Sequence, residues 1–215
     1  ASGAGEAAIV AAQINTVRKR YRADPARIVV AGISAGASLA AIMGLRYPQL
    51  VRGVFAHCGI PCGAALSPMS ALTVAARGPE TDVVAIGEGA RRLAGEDLRR
   101  VALCVVQGEQ DNIVAPRNAA ALVRQYLRFN DHPAALLDPA SAVPRADIEH
   151  HEAMSDGRIV VTREWRRDTA LLVRYVSIAG LGHAWSGGDA KHPYNDPRPP
   201  SATQLLASFV TELGG

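Results

Sequence analysis

The chain has 215 residues, of which 48% are hydrophobic and 20% are charged. This length predicts one large domain or two small ones, and the composition excludes a disordered tail, a collagen-like rod and a disulfide-stabilised mini-protein. Lys and Arg together number 23 against 20 Asp and Glu, which gives a net charge of +3. That charge is too small and too dispersed to follow a phosphate backbone, so nucleic acid is not an expected partner.

Arginine supplies almost all of the positive charge, because Lys19 and Lys191 are the only two lysines in the sequence. Several arginines occur as adjacent pairs, and we interpret these pairs as solvated edges of helices or strands. The pairs are Arg91 with Arg92, Arg99 with Arg100, and Arg166 with Arg167.

One uncharged segment, residues 28–45, is long enough to raise the question of a membrane span. Glycines and serines interrupt it, and its apolar part changes from β-branched to small residues, so we expect no membrane partner. No charged segment followed by an apolar one opens the sequence at Ala1. Any signal segment is therefore expected to have been removed or to lie outside this sequence.

Predicted helices and strands alternate through the first half of the chain. Continuous apolar runs indicate strands buried on both faces, and apolar residues three and four positions apart indicate helices. We predict a helix over 4–21, a strand over 27–32, a helix over 34–47 that ends at Pro48, a strand over 51–56, and helices within 67–100 joined at Gly78-Pro79 and at Gly87.

The second half continues the alternation and ends in a helix. We predict a strand over 101–106, a helix over 118–129, two strands around a turn over 158–165 and 171–178, a proline-rich loop over 192–200 and a helix over 203–213. This order predicts an α/β fold with a largely parallel sheet. Ligands bind such sheets at the carboxyl ends of the strands, so the residues that follow each strand are the candidates for a site.

The first of these segments, Gly32-Ile33-Ser34-Ala35-Gly36, matches the Gly-x-Ser-x-Gly nucleophile elbow. In that turn a sharp change from strand to helix strains the serine backbone, and small neighbours avoid a clash. A buried strand before it and a small-residue helix after it favour the elbow over an ordinary glycine-rich turn. A phosphate-binding turn is disfavoured because the Gly-x-Gly-x-x-Gly and Gly-x-x-x-x-Gly-Lys patterns are both absent.

A serine nucleophile needs a base and an orienting carboxylate, and candidates for both follow later strands. Asp111 lies just past the 101–106 strand, and His183 lies just past the 171–178 strand among three glycines. The order Ser, Asp, His is that of the α/β-hydrolases. Asp111 could instead be a turn carboxylate, Glu109 is a rival acid, and His183 could be an ordinary loop histidine. His150 and His151 are expected in a charged, solvent-facing loop.

The three cysteines do not form a disulfide framework. Cys104 lies inside an apolar strand and is expected to be a core residue. Cys58 and Cys62 are close enough along the chain for a local disulfide in an oxidising compartment, and two unpaired thiols are the equal alternative. His57 alone does not complete a zinc site with them, so no metal is expected.

Four motifs together resemble the extracellular polyhydroxybutyrate depolymerase and esterase family, whose relatives are feruloyl and acetylxylan esterases. The motifs are Gly-Ile-Ser-Ala-Gly-Ala from residue 32, Gly-Ile-Pro-Cys-Gly-Ala-Ala from 59, Gly-Glu-Gln-Asp-Asn-Ile-Val-Ala-Pro-Arg-Asn from 108, and Gly-His-Ala-Trp-Ser-Gly-Gly from 182. The resemblance extends from Gly5 nearly to the carboxyl terminus. It implies an α/β-hydrolase fold, a mostly parallel sheet with helices on both faces.

The same resemblance implies roles for individual residues. Ser34 corresponds to the nucleophile, Asp111 to the acid and His183 to the base, and the Ala35 N–H to one oxyanion donor. Trp185 would line the acyl or polymer groove, unless it is a hydrophobic lid under the proline-rich loop. The family is generally exported, which implies an extracellular or periplasmic location and suits a bridge between Cys58 and Cys62.

The sequence departs from the family pattern in one respect. Family members carry central strands and a His-Gly loop before the helix that opens this chain, and nothing here matches them. We therefore expect residues 1–215 to be the C-terminal two-thirds of one catalytic domain, whose sheet an upstream segment or a partner chain completes. Without those strands, the 27–32 strand would be an apolar sheet edge. Of the two N–H donors that bind the oxyanion, only that of Ala35 would be present.

The predicted function is that of a carboxylic-ester hydrolase that acts on a polyester or a small acyl ester through Ser34, His183 and Asp111. This chemistry requires no metal and no cofactor. A feruloyl or acetylxylan esterase would use the same residues and is the alternative within enzymes. A hydrolase-like binding module that recognises an ester or carbohydrate without cleaving it is the alternative from another class.

Overall fold

The computed structural model describes residues 5–137 and 143–214. Residue 4, where the first helix is predicted to begin, lies outside the described residues. Seven α-helices and eight strands are present in the described part, in chain order α1 (Glu6–Tyr21), β1 (Val29–Ile33), α2 (Ala35–Arg46), β2 (Gly53–His57), α3 (Pro68–Arg77), α4 (Val83–Ala94), β3 (Ala102–Gly108), α5 (Arg117–Phe129), α6 (Ala134–Leu137), β4 (Ile148–Ala153), β5 (Ile159–Arg167), β6 (Ala170–Ile178), β7 (Trp185–Ser186), β8 (Asn195–Asp196) and α7 (Ala202–Leu213).

Local sequence explains where several helices begin. Ser67 caps α3, where its hydroxyl accepts a hydrogen bond from the Ser70 N–H, and Pro68 occupies the first helical position. Asp82 caps α4, where one carboxylate oxygen accepts from the N–H groups of Val84 and Ala85. These caps satisfy amide donors that have no partner within the helix.

Six strands form one sheet in the order β1-β2-β3-β6-β5-β4. The first four run parallel, and β5 and β4 run antiparallel to their neighbours. The parallel part aligns β1 with β2 and β2 with β3 over five residue pairs each. The carboxyl ends of four neighbouring strands therefore lie along one edge of the sheet, as the alternation of elements predicts.

Two hydrophobic clusters cover the two faces of this sheet. One cluster includes residues of α1, α2 and α5, and the other includes Phe209 of α7. Strand β2 contributes to both, because Val54 and Ala56 point to the first cluster and Phe55 points to the second. Helices on both faces of a mostly parallel sheet are the architecture of the α/β-hydrolases, which confirms the predicted fold class.

Two of the longer elements differ from the prediction, and the short elements α6, β7 and β8 were not predicted. Residues 148–153, which contain His150 and His151, form strand β4 rather than a loop, although all six residues are exposed as expected. Gly87 lies inside α4 rather than between two helices. A Cβ at Gly87 would lie 2.4 Å from the backbone oxygen of Gln125, so this glycine allows α4 to pack closely on α5.

Strand β1 lies at one edge of the sheet and pairs with β2 alone among the described strands. Its middle residue, Ala31, is exposed. This is the apolar edge expected from the sequence. No helix in the described ranges has the length and apolar character needed to cross a membrane.

Candidate active site

Ser34 lies at the turn that joins β1 to α2. Its backbone takes φ 56° and ψ −120°, in the left-handed half of the backbone map that residues with a Cβ seldom occupy. The Ser34 N–H donates to the His57 carbonyl at 2.9 Å, which fixes the turn against the end of β2. The backbone of Ser34 is therefore strained, and this conformation presents the serine side chain at the end of the strand.

The two glycines of the pentapeptide have different surroundings. A Cβ on Gly32 would lie 2.3 Å from the carbonyl carbon of Gly36, so α2 can begin beside β1 only if position 32 is glycine. A Cβ on Gly36 would meet no described atom within 4 Å. Ala35 is the first residue of α2 and is exposed, so its N–H belongs to the donors at a helix start that have no acceptor within the helix.

Asp111 follows β3 and is held by backbone donors. One carboxylate oxygen, Oδ1, accepts hydrogen bonds from the N–H groups of Ile113 at 2.9 Å and Val114 at 2.7 Å. The other, Oδ2, accepts from Gln107 Nε2 at 3.3 Å. Burial alone would raise the pKa of this carboxyl, but the hydrogen bond from His183, followed by those from Val114, Cys58 and Ile113, lowers the pKa below its ordinary value.

His183 lies past the end of β6 and meets Asp111. Its Nδ1 is 2.8 Å from Asp111 Oδ2, and its side chain is largely buried. The rival acid, Glu109, is exposed and accepts a hydrogen bond from the Ser177 hydroxyl at 2.7 Å. Of the two carboxylates that the sequence offers, it is Asp111 that contacts the histidine. An imidazole with Nδ1–H held by a carboxylate leaves Nε2 unprotonated and able to accept a proton.

Two further residues of this region, His57 and Cys58, follow a predicted strand, but neither was predicted to have a catalytic role, and Cys58 was considered only as a disulfide partner. Both are fully buried, and His57 Nδ1 lies 3.1 Å from Cys58 Sγ. Burial, together with the nearby His183, lowers the pKa of His57 from 6.5 to about 4, so the ring is neutral at pH 7. Burial, together with the charge of Asp111, raises the pKa of the Cys58 thiol well above its ordinary range.

Cys58, Asp111 and His183 place one potential metal-ligand atom each within 4.8 Å of one another. Cysteine, histidine and carboxylate are all zinc ligands, but thiols must lose their proton to bind a metal. The raised pKa of Cys58 opposes that loss, and Asp111 and His183 are already hydrogen bonded to each other. The arrangement suits a hydrogen-bonded group better than a metal centre.

Trp185, the predicted groove residue, packs mainly against the protein. Its ring stacks on His57, with centroids 5.2 Å apart and planes at 29°, and lies 5.9 Å from the ring of Phe55. Its Nε1–H donates to the Thr203 hydroxyl at 3.2 Å. These contacts fit the alternative of a hydrophobic lid, and contact between Trp185 and a substrate stays a prediction.

The disulfide considered between Cys58 and Cys62 is absent, because both residues are free buried thiols. The physical reason is their direction. Cys58 takes a left-handed backbone with φ 54°, and its thiol faces His57 and Asp111. Cys62 packs in the helix-covered core, where its N–H and carbonyl both bond the side chain of Gln125. Cys104 is a free core thiol, as expected.

Comparison with known proteins finds relatives that are named depolymerases and esterases. The family model described as Esterase PHB depolymerase matches residues 1–150. Poly(3-hydroxyalkanoate) depolymerase C of Paucimonas lemoignei is 30% identical over 129 residues, which cover 60% of this chain and 31% of that protein. Feruloyl esterase B of Neurospora crassa is 29% identical over 128 residues, which cover 57% of this chain and 44% of that protein.

Solved structures show the same fold. The acetyl xylan esterase from Aspergillus awamori superposes with a TM-score of 0.66 at 20% identity, over 84% of this chain and 63% of that one. The PHB depolymerase from Penicillium funiculosum gives a TM-score of 0.51 at 17% identity, over 80% of this chain and 47% of that one. The chain thus spans between about a third and two-thirds of the length of these relatives.

Proposed function

We propose, starting from the fact that this chain belongs to the Esterase PHB depolymerase family, that it is a serine carboxylic-ester hydrolase with Ser34 as its nucleophile. His183 would act as the general base and Asp111 as the carboxylate that orients it. The three positions follow β1, β6 and β3, so one edge of the sheet presents all of them.

The observation that carries this proposal is the 2.8 Å contact between His183 Nδ1 and Asp111 Oδ2 at the ends of neighbouring strands. A buried carboxylate whose pKa is lowered stays negatively charged at neutral pH, and it stabilises the imidazolium that forms when His183 takes a proton. The strained Ser34 backbone at the same edge is the second support, because strain of this kind is typical of nucleophile turns.

In the proposed reaction the Ser34 hydroxyl attacks the ester carbonyl while His183 Nε2 accepts its proton. The tetrahedral oxyanion receives a hydrogen bond from the Ala35 N–H at the start of α2, where the helix dipole also favours negative charge. His183 then gives the proton to the departing alcohol oxygen, which leaves an acyl group on Ser34. Water, deprotonated by His183, releases the carboxylic acid and restores the serine.

A second oxyanion donor would come from outside the described residues, from the upstream segment or partner chain that the family resemblance implies. Loss of one such donor costs about 100- to 1000-fold in turnover. We therefore expect the 215-residue chain by itself to label and hydrolyse activated esters more slowly than a chain with a complete sheet. The organisation as one catalytic domain and the export of the protein stay predictions.

The proposed substrate class is the ester of a short hydroxyalkanoic acid, because the family model and the Paucimonas lemoignei relative carry polyhydroxyalkanoate depolymerase names. Feruloyl and acetylxylan esters are the second candidate, favoured by the name of the Neurospora crassa relative and by relatives named acetylxylan esterase A. Relative kcat/KM for a 3-hydroxybutyrate dimer, methyl ferulate and acetylated xylan separates the two classes.

The proposal is tested by incubation with a fluorophosphonate, which labels activated serines, followed by intact mass and peptide mapping. We expect one adduct, on Ser34. Ser34→Ala should lose the adduct and reduce hydrolysis of p-nitrophenyl butyrate by about 10⁴-fold or more. Ser208→Ala, at an exposed position of α7, is the matched control and should change neither.

A chain that folds but takes no adduct contradicts the proposal and favours the binding-module alternative. That alternative predicts that the Ser34→Ala variant binds an ester or carbohydrate ligand as tightly as the unmodified chain does. It also predicts that neither the variant nor the unmodified chain hydrolyses the ligand. An adduct on a serine other than Ser34 would also overturn the assignment of the nucleophile.

A further inference from the structure

The adjacent arginine pairs were interpreted as solvated edges, but four of their members lie around one cavity. A cavity of about 400 Å³ is lined by five arginines: Arg52, Arg91, Arg99, Arg100 and Arg167. Arg52 directly precedes β2, and Arg99 with Arg100 precede β3, so the cavity lies at the amino ends of the parallel strands. This is the opposite end of the sheet from Ser34, Asp111 and His183.

Positive charge in this cavity is poorly neutralised by the protein itself. Arg91 forms an ion pair with Asp131, whose oxygen lies 3.5 Å from the guanidinium. Within the described ranges, Arg52, Arg99, Arg100 and Arg167 form no ion pair with a carboxylate. Like charges gathered around one cavity repel each other, and an anion bound among them would remove that repulsion.

Contacts with backbone carbonyls hold three of these guanidinium groups in place. Arg52 Nη1 donates to the carbonyl of Arg100 at 3.1 Å, and Arg99 Nη1 donates to two carbonyls at 2.9 Å, those of Glu96 and Leu98. Arg167 Nη2 donates to the carbonyl of Asp131 at 2.6 Å. Each contact occupies one terminal nitrogen, so the other N–H donors of each planar group stay available to a ligand.

One part of the cavity wall is held in place by packing and hydrogen bonds, whereas Arg52, Arg99 and Arg100 are exposed. Phe129 and the residue that follows it, Asn130, both line the cavity, and the Phe129 side chain is buried in the core. The Asn130 side chain accepts from the Val101 N–H at 3.2 Å and donates to the Val101 carbonyl at 3.0 Å, which ties the end of α5 to the start of β3. Guanidinium groups anchored to a rigid frame lose little conformational entropy when they bind, which favours affinity.

We infer that this cavity binds an oligoanion that carries several closely spaced phosphate or sulfate groups. Guanidinium groups match the oxygens of phosphate and sulfate with paired N–H donors, a geometry that a lysine ammonium does not supply. Five guanidiniums around one cavity provide more donors than one phosphate can use, so a chain of linked anionic groups is the best fit. The inference is independent of the proposed esterase activity, because the two sites lie at opposite ends of the sheet.

Isothermal titration calorimetry of the folded chain with inorganic tripolyphosphate, at low ionic strength, tests the inference. We expect saturable binding with one site per chain, weakened at least tenfold in the variant Arg99→Gln/Arg100→Gln. The matched control, Arg20→Gln/Arg22→Gln, removes the same charge from exposed positions at the end of α1 and should weaken binding less than twofold. Hydrolysis of p-nitrophenyl butyrate should be the same in all three proteins.

Absence of saturable binding by the unmodified chain would overturn the inference, and so would equal weakening in the two double variants, since that result indicates attraction to net charge alone. Arg52→Gln provides a second variant at the cavity if the first one fails to fold. Orthophosphate and sulfate should bind at least tenfold more weakly than tripolyphosphate, and equal affinities would contradict the assignment of an oligoanion.

Discussion

At the scale of single residues, Asp111 shows how the site keeps a charge inside the protein. Its carboxylate is fully buried, yet hydrogen bonds from His183 and two backbone N–H groups outweigh the cost of burial and hold its pKa low. The Cys58 thiol adds to these donors. Because burial keeps that thiol protonated, it can act as a donor to the carboxylate over the whole working pH range.

Cys58 should therefore matter for catalysis as a positioning residue. Cys58→Ala removes a weak donor from Asp111, and we expect kcat/KM for p-nitrophenyl butyrate to fall about three- to tenfold. Cys58→Ser restores an O–H donor and should recover most of the loss. Cys62→Ala is the control, since it removes a buried thiol that faces the core, and should lower stability without changing kcat/KM. Equal rates in Cys58→Ala and the unmodified enzyme would contradict this role.

His57 should make the fold sensitive to mild acid. Its pKa is about 4 in the folded state against 6.5 when unfolded, so between these values the unfolded chain binds a proton that the folded chain does not. Stability is thus complete above pH 6.5 and falls as the pH drops toward 4, by about 3 kcal/mol. Asp111 and Asp196 also have lowered pKa values, but their losses occur at lower pH, below the ordinary carboxyl range.

Urea unfolding at pH 7 and at pH 4.5 measures this effect. His57→Phe keeps an aromatic ring beside Trp185 but cannot bind a proton, so its free energy of unfolding should change much less between the two pH values. Parallel losses in the variant and the unmodified chain would show that other groups cause the sensitivity.

At the scale of secondary structure elements, close helix packing depends on single glycines. Gly87 and Gly89 both lie in α4, yet a Cβ on Gly87 would lie 2.4 Å from a backbone oxygen of α5, whereas a Cβ on Gly89 would meet no described atom within 4 Å. Periodicity in the sequence cannot tell these two positions apart, since the difference arises from the neighbouring helix.

These two glycines form a matched pair for a stability measurement. Gly87→Ala should destabilise the protein by about 1 to 3 kcal/mol, because α4 must move away from α5. Gly89→Ala should stabilise it by up to about 1 kcal/mol, because alanine is the better helix former and its methyl group meets free space. Thermal unfolding of both variants measures the difference, and a stabilised Gly87→Ala would refute the packing argument.

The elements that were predicted correctly are those whose sequence carries a clear period or an apolar run. Strands β1, β2, β3, β5 and β6 are apolar enough to be recognised, and their order led to the correct fold class. Strand β4 was missed because all six of its residues are exposed, so neither face leaves an apolar signature. It is a strand because of its pairing with β5.

At the scale of the whole molecule, the sheet separates two chemically different ends. The carboxyl ends of the strands carry the candidate esterase residues, and the amino ends carry the arginine cavity. The first set was predictable, because residues that follow strands converge by a general rule. The contact between Cys58 and Asp111 could not be predicted, since it depends on the left-handed backbone at Cys58. The cavity could not be predicted either, because its arginines come from four separate segments.

The wide spacing of Ser34, Asp111 and His183 along the chain has a consequence for the time course of folding. Each residue is positioned only when its own strand has joined the sheet, and parallel pairings between distant segments form slowly, after the helices. During refolding from urea, fluorophosphonate reactivity should thus return later than the far-ultraviolet circular dichroism signal. Simultaneous recovery would mean that the sheet and helices form in one step. A lag would mean that the return of serine reactivity reports the time at which the last strand joins the sheet.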